Sequence, residues 1–171
     1  MLGAPTSEAG LAAAAMAGEA AAFGQLVKLH QAGVRALCRR LARGTSEADD
    51  IAQSAFMTAW RRISTWQGGS FRGWVCAIAY REFLHRRRGR QEPAEEFELA
   101  VEETPGERID VTRAMAALEP NERSAIALCL GAGLSHSEAA EVMSAPLGSV
   151  KSWVLRGRVK LQASLAAYQK T

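Results

Sequence analysis

The chain has 171 residues, which allows one or two small domains and excludes a large multidomain enzyme. Apolar residues make up 48% of it and exclude global disorder, while no apolar run approaches the ~20 residues that a membrane span needs. The 21 basic and 18 acidic residues nearly cancel, leaving a net charge of +3. The three cysteines lie far apart without a CxxC spacing, which argues against a disulfide framework or a zinc site. Because the N-terminus also has no basic start and so no expected secretory signal, we place the protein in the cytoplasm, without membrane insertion.

Helix-forming residues dominate the chain. Alanine occurs 33 times, whereas Val, Ile and Thr, which favour strands, together occur 21 times, and no stretch sustains an alternation of polar and apolar residues. The sequence therefore predicts an all-α fold. Apolar residues spaced by threes and fours predict front helices over 11–17, 19–43, 46–63 and 71–90, with a glycine-containing loop over 64–70.

Four more helices are expected in the back half, over residues 107–118, 120–131, 135–143 and 147–167. Ser135 and Glu138 form a capping box at the start of the third of these, and Pro146 separates it from the last. A short helix, a tight turn and a longer basic helix are typical of helix-turn-helix DNA-binding motifs.

The last of these helices separates its apolar and polar residues. A stripe of Val150, Val154 and Leu161 is expected to face the core. Short hydroxyls near the helix start let the backbone approach base edges, and cations beyond them can reach phosphates. The candidate DNA-contacting residues are Ser135, Ser149, Lys151, Ser152, Arg156 and Lys160. The alternative is an ordinary helical hairpin with a solvated basic face.

Charge is distributed unevenly along the chain, at −2 over residues 1–27, +9 over 28–90, −8 over 91–122 and +4 over 123–171. Two basic blocks separated by an acidic one predict two modules joined by a flexible acidic linker, placed at residues 91–106. The acidic residues are either simply solvated or cover a basic surface. In the second case the short tether would hold the free chain partly closed, with one module against the other.

Aromatic and arginine side chains alternate in the front half. Six aromatic residues fall between Trp60 and Phe83, among several arginines. Most of them are expected in the core. Trp66 is the exception, since it lies in the glycine-containing loop, where an aromatic ring beside arginines suits stacking on unpaired bases with neutralisation of phosphates.

Three stretches resemble bacterial RNA polymerase sigma factors of the extracytoplasmic-function (ECF, group 4) type. DDIAQSAFMTAWRRI resembles their region 2.1–2.2, GGSFRGWVCAIAYREFLHRRR resembles region 2.3–2.4, and the segment from ALEPNERS to VLRGRVKL resembles region 4. The resemblance implies a transcription initiation factor that binds core RNA polymerase at the β′ clamp helices and the β flap, recognises −35 and −10 promoter elements, and melts the −10 element. It also implies an anti-sigma factor as a partner. Because no residues in the sequence assemble a nucleophile–base pair or a metal cluster, we expect no cofactor, no metal and no enzymatic activity.

Site residues follow from the resemblance by position. Polymerase binding is assigned to Asp49, Asp50, Gln53 and Phe56. Contact with the −10 element is assigned to Trp66, Ser70, Phe71, Arg72, Arg81, Arg86, Arg87 and Arg88. Contact with the −35 element is assigned to the candidate DNA-contacting residues of the last two helices. Two departures from the family pattern, Tyr80-Arg81 in region 2.4 and Trp153 in the reading helix, leave the promoter sequence open but not the class of function.

The expected organisation is an N-terminal segment (1–18), a region 2 helical bundle (19–90), the linker (91–106) and a region 4 helix-turn-helix domain (107–168). One alternative is a helix-turn-helix regulator that acts without joining RNA polymerase, but such a protein would not need the front module in this form. Another is a sigma mimic that binds an anti-sigma factor but no promoter, in which the basic surfaces would be expected to be eroded.

Overall fold

The computed structural model describes residues 7–42, 45–89 and 108–168, and every regular element within these ranges is helical. The all-α prediction is therefore confirmed. We call the first group of helices the front module. It comprises α1 (Glu8–Met16), α2 (Ala20–Leu41), α3 (Thr45–Arg61), a 3₁₀ turn (Ile63–Thr65) and α4 (Phe71–Gly89).

The boundaries of the first helices follow from their caps. Ser7 caps α1, because its Oγ accepts a hydrogen bond from the Gly10 amide at 3.1 Å. This cap explains why α1 begins three residues before the expected position. Gly18 then adopts a φ of +97°, a left-handed conformation that glycine reaches without steric strain, and so turns the chain from α1 into α2.

The front module buries one face of each of its long helices. Fully buried side chains come from α2, α3 and α4, and include Leu26, Leu37, Ile51, Phe71 and Val75. Full burial of one such side chain stabilises the fold by ~1.5–3 kcal/mol. This core therefore fixes α2, α3 and the start of α4, the elements that carry most of the front candidate residues.

The second group of helices is the back module. It comprises α5 (Arg108–Ala116), α6 (Pro120–Ile126), a π-helical turn (Ala127–Gly131), α7 (His136–Met143) and α8 (Leu147–Tyr168). The helix expected over 120–131 is thus an α-helix whose last turn widens. Gly157 lets α8 cross α6 closely, since a Cβ at this position would lie only 2.7 Å from Ile126 Cγ1.

A buried arginine joins α5 to α6. The Arg123 guanidinium donates from Nε to the Met115 carbonyl at 2.9 Å, and from Nη2 to the Ala116 and Leu118 carbonyls at 2.8 and 2.9 Å. These carbonyls belong to the last turn of α5 and the residues after it, where helical partners run out. The side chain is only 5% exposed, so Arg123 acts as an internal cap for α5.

The two modules contact each other through two arginines of the front module and two glycines of the back module. A Cβ at Gly131 would lie 2.8 Å from Arg40 Nη1, and a Cβ at Gly133 would lie 2.5 Å from Arg72 Nη2. Gly133 also has a φ of +77°. The modules are therefore packed together, with the two arginine side chains lying against the backbone of the two glycines. The expected linker, residues 91–106, lies outside the described residues.

Candidate protein-binding and DNA-binding surfaces

An open groove of about 620 Å³ runs between α2 and α3 of the front module. Its lining is mostly apolar and includes Phe23, Val27, Phe56, Met57 and Trp60. Polar atoms enter the lining at Gln31, Arg35, Asp49 and Gln53. A groove with an apolar centre and a few polar groups suits an amphipathic helix from a partner, which would lay its apolar face into it.

Three of the four residues assigned to polymerase binding, Asp49, Gln53 and Phe56, line this groove. The fourth, Asp50, is exposed on α3. Asp49 Oδ1 lies 3.6 Å from Arg35 Nε, too far for a hydrogen bond, and it has no hydrogen-bond partner among the described residues. Oδ1 itself is buried, but the Asp49 side chain as a whole is 47% exposed, so its carboxylate still presents polar surface to the groove.

A cluster of rings lies behind the glycine-containing loop. Phe71 is fully buried at its centre, with ring centroids of Phe23, His30, Trp66 and Trp74 at 5.6–6.1 Å from its own. Trp66 meets Phe71 edge-on, at an interplanar angle of 84°, and is only half-buried. Edge-to-face pairs of this kind are favourable, so Phe71 supports the indole of Trp66 from beneath.

The loop between the 3₁₀ turn and α4 is shaped by its glycines and its last residue. Gly68 and Gly69 have φ values of +93° and +81°, which most other residues adopt only with strain. Ser70 is exposed, and its Oγ accepts a hydrogen bond from the Gly73 amide at 3.0 Å, which satisfies a free donor of the first turn of α4. Trp66 and Ser70 are therefore brought to one short, defined loop.

The arginines assigned to the −10 element differ in how they are held. Arg81 and Arg88 are exposed on α4. Arg86 donates from Nε to Glu82 Oε1 at 2.9 Å and from Nη2 to Ser54 Oγ at 3.2 Å. An ion pair one turn apart on a helix surface is weak, so Arg86 can leave it for a phosphate.

Arg87 and Arg72 make contacts of a different kind. The Arg87 guanidinium carbon lies 5.6 Å from the centroid of the Phe83 ring, within range of a cation–π interaction. The Arg72 side chain passes between Gly33 and Gly133, and a Cβ at Gly33 would lie 3.1 Å from its Cδ. Arg72 thus takes part in the contact between the modules in this structure.

Tyr80, one of the departures from the family pattern, is also used between the modules. It is buried on α4 and forms a side-chain hydrogen bond with Ser124 of α6. Burial raises the pKa of the Tyr80 hydroxyl, and the hydrogen bond acts against that rise. The phenol therefore stays neutral and serves as a hydrogen-bonding group of the module contact.

The back module contains the helix-turn-helix that the sequence predicts, formed by α7, a turn and α8. The capping box is confirmed: Ser135 Oγ accepts from the Glu138 amide at 3.2 Å, and the Ser135 amide donates to Glu138 Oε2 at 2.7 Å. These hydrogen bonds hold the pKa of Glu138 below its ordinary value. Ser144 ends α7 in a left-handed conformation, with a φ of 52°, and directs the chain into α8.

The exposed face of α8 carries most of the candidate −35 residues. Val150 and Val154 are buried, as the apolar stripe predicts, and Leu161 is half-buried. Lys151 and Ser152 are exposed, whereas Ser149 is half-buried. Ser135 is exposed but already engaged in the cap of α7. The first turns of α8 thus present a cation and a hydroxyl to solvent.

One functional candidate was missed by the sequence reasoning, namely Glu122 of α6. Its side chain is 3% exposed, yet it accepts hydrogen bonds from Arg156 Nε at 3.1 Å and Lys160 Nζ at 2.7 Å. Burial raises the pKa of Glu122, but the hydrogen bonds from Lys160 and Arg156 outweigh it, so the pKa lies below its ordinary value. Arg156 and Lys160 are four residues apart, so their spacing indicated that they share one face of a helix. Their common partner Glu122 lies 34 and 38 residues earlier in the chain, so it could be found only from the folded structure.

Two of the three thiols lie inside the front module. Cys38 and Cys76 are free and fully buried, and burial raises their pKa values to about 12 and about 11. Within residues 7–42, 45–89 and 108–168, no group of three His, Cys, Asp or Glu side chains could hold a metal ion. No helix in those same ranges is both long and apolar enough to span a membrane.

Two family models match the chain, sigma-70 region 2 over residues 26–92 and sigma-70 region 4 over residues 108–161. The chain is 33% identical over 158 residues to the ECF RNA polymerase sigma factor SigE of Mycolicibacterium smegmatis, a match that covers 84% of this chain and 62% of SigE. The chain thus spans less than two thirds of that relative. It is 31% identical over 183 residues to the RNA polymerase sigma factor NccH of Alcaligenes xylosoxydans xylosoxydans, across 96% of this chain and 98% of NccH.

A solved structure supports the same assignment. The sigma factor RpoE of Bartonella quintana, in complex with the anti-sigma factor NepR, matches with a TM-score of 0.73 and 28% identity, over 84% of this chain and 96% of RpoE. Both sigma-70 regions thus occur here in order, on a matching fold and with a relative that is covered nearly from end to end. The chain belongs to the ECF sigma factors, which bind RNA polymerase and recognise promoters.

Proposed function

We propose that the front module binds core RNA polymerase through the groove between α2 and α3, where the β′ clamp helices would lie. The observation that carries this proposal is the groove itself, an open apolar cleft with the polar groups of Asp49 and Gln53 in its lining. Phe56 and its apolar neighbours would pack on the clamp helices, and the exposed part of the Asp49 carboxylate would accept a hydrogen bond from them. Asp50, exposed on the same helix, would pair at the edge of the interface.

The −10 element is proposed to meet the loop that carries Trp66 and the exposed side of α4. Trp66 is half-buried and supported by Phe71, a suitable arrangement for stacking on an unpaired base. Arg81 and Arg88 are exposed on α4 and would neutralise phosphates of the same strand. Because Phe71 itself is fully buried, its part is to support Trp66.

The −35 element is proposed to receive α8 in its major groove. Lys151 and Ser152 are exposed in the first turns of α8, the part of a recognition helix that reaches base edges. Arg156 and Lys160 lie one and two turns further on and would reach the adjacent backbone or bases. The back module would also supply the contact to the β flap of the polymerase.

An anti-sigma factor is proposed as a further partner. The structural relative RpoE was solved bound to the anti-sigma factor NepR. An inhibitor could cover the α2–α3 groove or hold the two modules in contact. We place the factor in the cytoplasm with RNA polymerase, assign it no catalytic activity of its own, and keep the domain limits at 19–90 and 107–168.

Transcription with purified components tests this function. Core RNA polymerase, with and without the full chain, is supplied with a library of fragments from a bacterial genome, and transcript 5′ ends are mapped. The expected result is a set of start sites that depends on the chain and shares two elements at constant spacing. Promoter binding by the chain alone, with no transcripts that depend on it, would instead favour a helix-turn-helix regulator that works apart from the polymerase.

A further inference from the structure

Glu122 stands out among the acidic residues of the back module because it lies behind the helix proposed to read DNA. It belongs to α6, not to α7 or α8, and its carboxylate is 3% exposed. Besides the two cations of α8, it accepts from the Glu119 amide at 3.4 Å as part of the capping box of α6. Both carboxylate oxygens are therefore engaged, one with Arg156 and the other with Lys160.

We propose that Glu122 is a positioning residue for promoter recognition, which orients Arg156 and Lys160 toward DNA. This inference rests on the proposed reading of the −35 element by α8. A carboxylate fixed by packing gives two long, flexible side chains a common anchor. Without it, each would have to be ordered at the moment of DNA binding, at a cost in side-chain entropy.

The contacts leave the DNA-facing donors of both cations available. Arg156 uses Nε for Glu122, so that its terminal Nη1 and Nη2, the pair that can grip a guanine or a phosphate, have no partner among the described residues. Lys160 has three N–H donors and gives one of them to Glu122. Their side chains are 57% and 46% exposed. Glu122 thus holds each cation through one donor, and the remaining donors are available to contact DNA.

The same carboxylate should weaken attraction to DNA of any sequence. Glu122 places one negative charge behind two positive charges, so the group carries +1 where it would otherwise carry +2. Binding that depends only on phosphates follows the number of charges that the protein neutralises. Loss of the Glu122 charge is therefore expected to raise affinity for unrelated DNA while it lowers discrimination between sequences. A residue that only stabilises the fold would change neither the salt slope nor the discrimination of the folded molecules.

The experiment uses holoenzyme assembled from the full chain and core polymerase. Promoter fragments carry either the −35 sequence selected by wild-type holoenzyme or a scrambled one, and affinity is measured at several salt concentrations. Glu122→Gln keeps the shape of the side chain and removes its charge. Glu141→Gln is the matched control, since Glu141 is exposed on α7 of the same module and the substitution changes the net charge equally.

We expect Glu122→Gln to reduce the ratio of selected to scrambled affinity roughly tenfold, the size expected for one base contact. The log–log salt slope on scrambled DNA should steepen by about 0.9, as for one more neutralised phosphate. In a background of Arg156→Ala and Lys160→Ala, Glu122→Gln should have little further effect on discrimination, because residues that act through one another are not additive.

A second variant covers the case in which Glu122→Gln folds poorly. Glu122→Asp keeps the charge but shortens the side chain, so it should lower discrimination and leave the salt slope unchanged. Wild-type discrimination in both variants would overturn the inference, as would an equal loss in Glu141→Gln. If wild-type holoenzyme itself has no −35 preference, the proposed −35 reading fails and the inference with it. If wild-type holoenzyme has a clear −35 preference and the Glu122 variants keep it, this inference is overturned but the proposed −35 reading stands.

Discussion

The two modules hold their cationic side chains in different ways. In the back module, Arg156 and Lys160 share one buried carboxylate, Glu122, which comes from another helix. In the front module, Arg86 pairs with Glu82 on its own helix, where both side chains are partly exposed. Duplex DNA presents base edges and phosphates at fixed positions, so it is bound best by cations whose own positions are fixed. A melted strand has no fixed shape, so adaptable arginines around a stacking ring serve it better. The difference therefore fits the proposed roles, with the back module on the −35 duplex and the front module on the melted −10 strand.

The largest effect is expected where the front module meets polymerase rather than DNA. Asp50→Ala together with Gln53→Ala removes two exposed polar groups of α3 without emptying the core. Hydrogen bonds to charged groups contribute ~1.5–3 kcal/mol each, so affinity for core polymerase should fall about a hundredfold or more. A competition assay against a second sigma factor measures this, with helix content checked by circular dichroism. Arg61→Ala, exposed at the end of α3 and outside the groove lining, is the control and should bind normally. Equal competition by the double variant would remove α3 from the interface.

The stability of the back module should depend on Arg123. Arg123→Met keeps much of the side-chain volume but leaves three carbonyls of the α5 end without their donor. Unsatisfied buried acceptors are costly, and we expect a loss of about 3 kcal/mol in the free energy of unfolding. Urea unfolding of the full chain, followed by the loss of helix signal in circular dichroism, measures it. Arg113→Met, exposed on α5, should change stability little. If the two variants unfold alike, Arg123 is not the cap that joins α5 to α6.

The ion pairs of Glu122 predict a pH dependence of a defined sign. Because the pKa of Glu122 is lower in the folded protein than its ordinary 4.5, its ionisation favours folding above that pH. The stability difference between wild type and Glu122→Gln should be complete above about pH 4.5 and shrink as the pH falls through the folded pKa. We expect about 1 kcal/mol, because both cations are half exposed. A difference that stays constant down to acid pH would show that the carboxylate charge does not contribute.

The salt dependence of DNA binding should distinguish the arginines of α4. Arg88 is exposed and is expected to neutralise a phosphate, so Arg88→Ala should flatten the log–log salt slope on single-stranded −10 DNA by about 0.7. Arg86 must first leave Glu82 and Ser54, so Arg86→Ala should change the slope less. Equal slopes for both variants and wild type would mean that neither side chain touches phosphate.

The smallest effect concerns the contact between the modules. Gly133→Ala places a methyl group where the Arg72 guanidinium now lies and also forces alanine to a φ of +77°. Gly18→Ala meets the same kind of strain at +97° but has no neighbour within 4 Å, so it isolates the effect of the clash. Small-angle scattering of the free chain should therefore report a larger radius for Gly133→Ala than for Gly18→Ala. Identical profiles would show that Arg72 and Gly133 do not hold the modules together.

Local sequence signals predicted most of the fold, and contacts across the chain account for what they missed. The capping box of Ser135 and Glu138 could be read directly, because both partners lie within one helical turn. The apolar stripe of Val150 and Val154 was equally visible in its spacing. Glu122, in contrast, reads as one more acidic residue until α6 and α8 are packed together.

The front module shows the same limit, because its groove and its ring cluster are formed by residues that are distant in the sequence. Spacing placed Asp50 and Gln53 on one side of a helix, but the packing of α2 against α3 forms a groove that Asp49 and Gln53 line and Asp50 does not. Phe71 was assigned to DNA by position, and its complete burial followed from the rings that surround it. Tyr80 was seen only as a departure from the family pattern, because its partner Ser124 lies in the other module.

Site-specific crosslinking compares the two modules on one promoter. A photoreactive side chain replaces Ser152 of α8 in one variant and Trp66 of the loop in another, and each is assembled with core polymerase on promoter DNA labelled at single positions. If the back module reads the −35 duplex and the front module holds the melted −10 strand, residue 152 crosslinks to the −35 duplex and residue 66 to the unpaired strand at −10. Crosslinks from both positions to the same element, or from residue 66 only to duplex DNA, would contradict it.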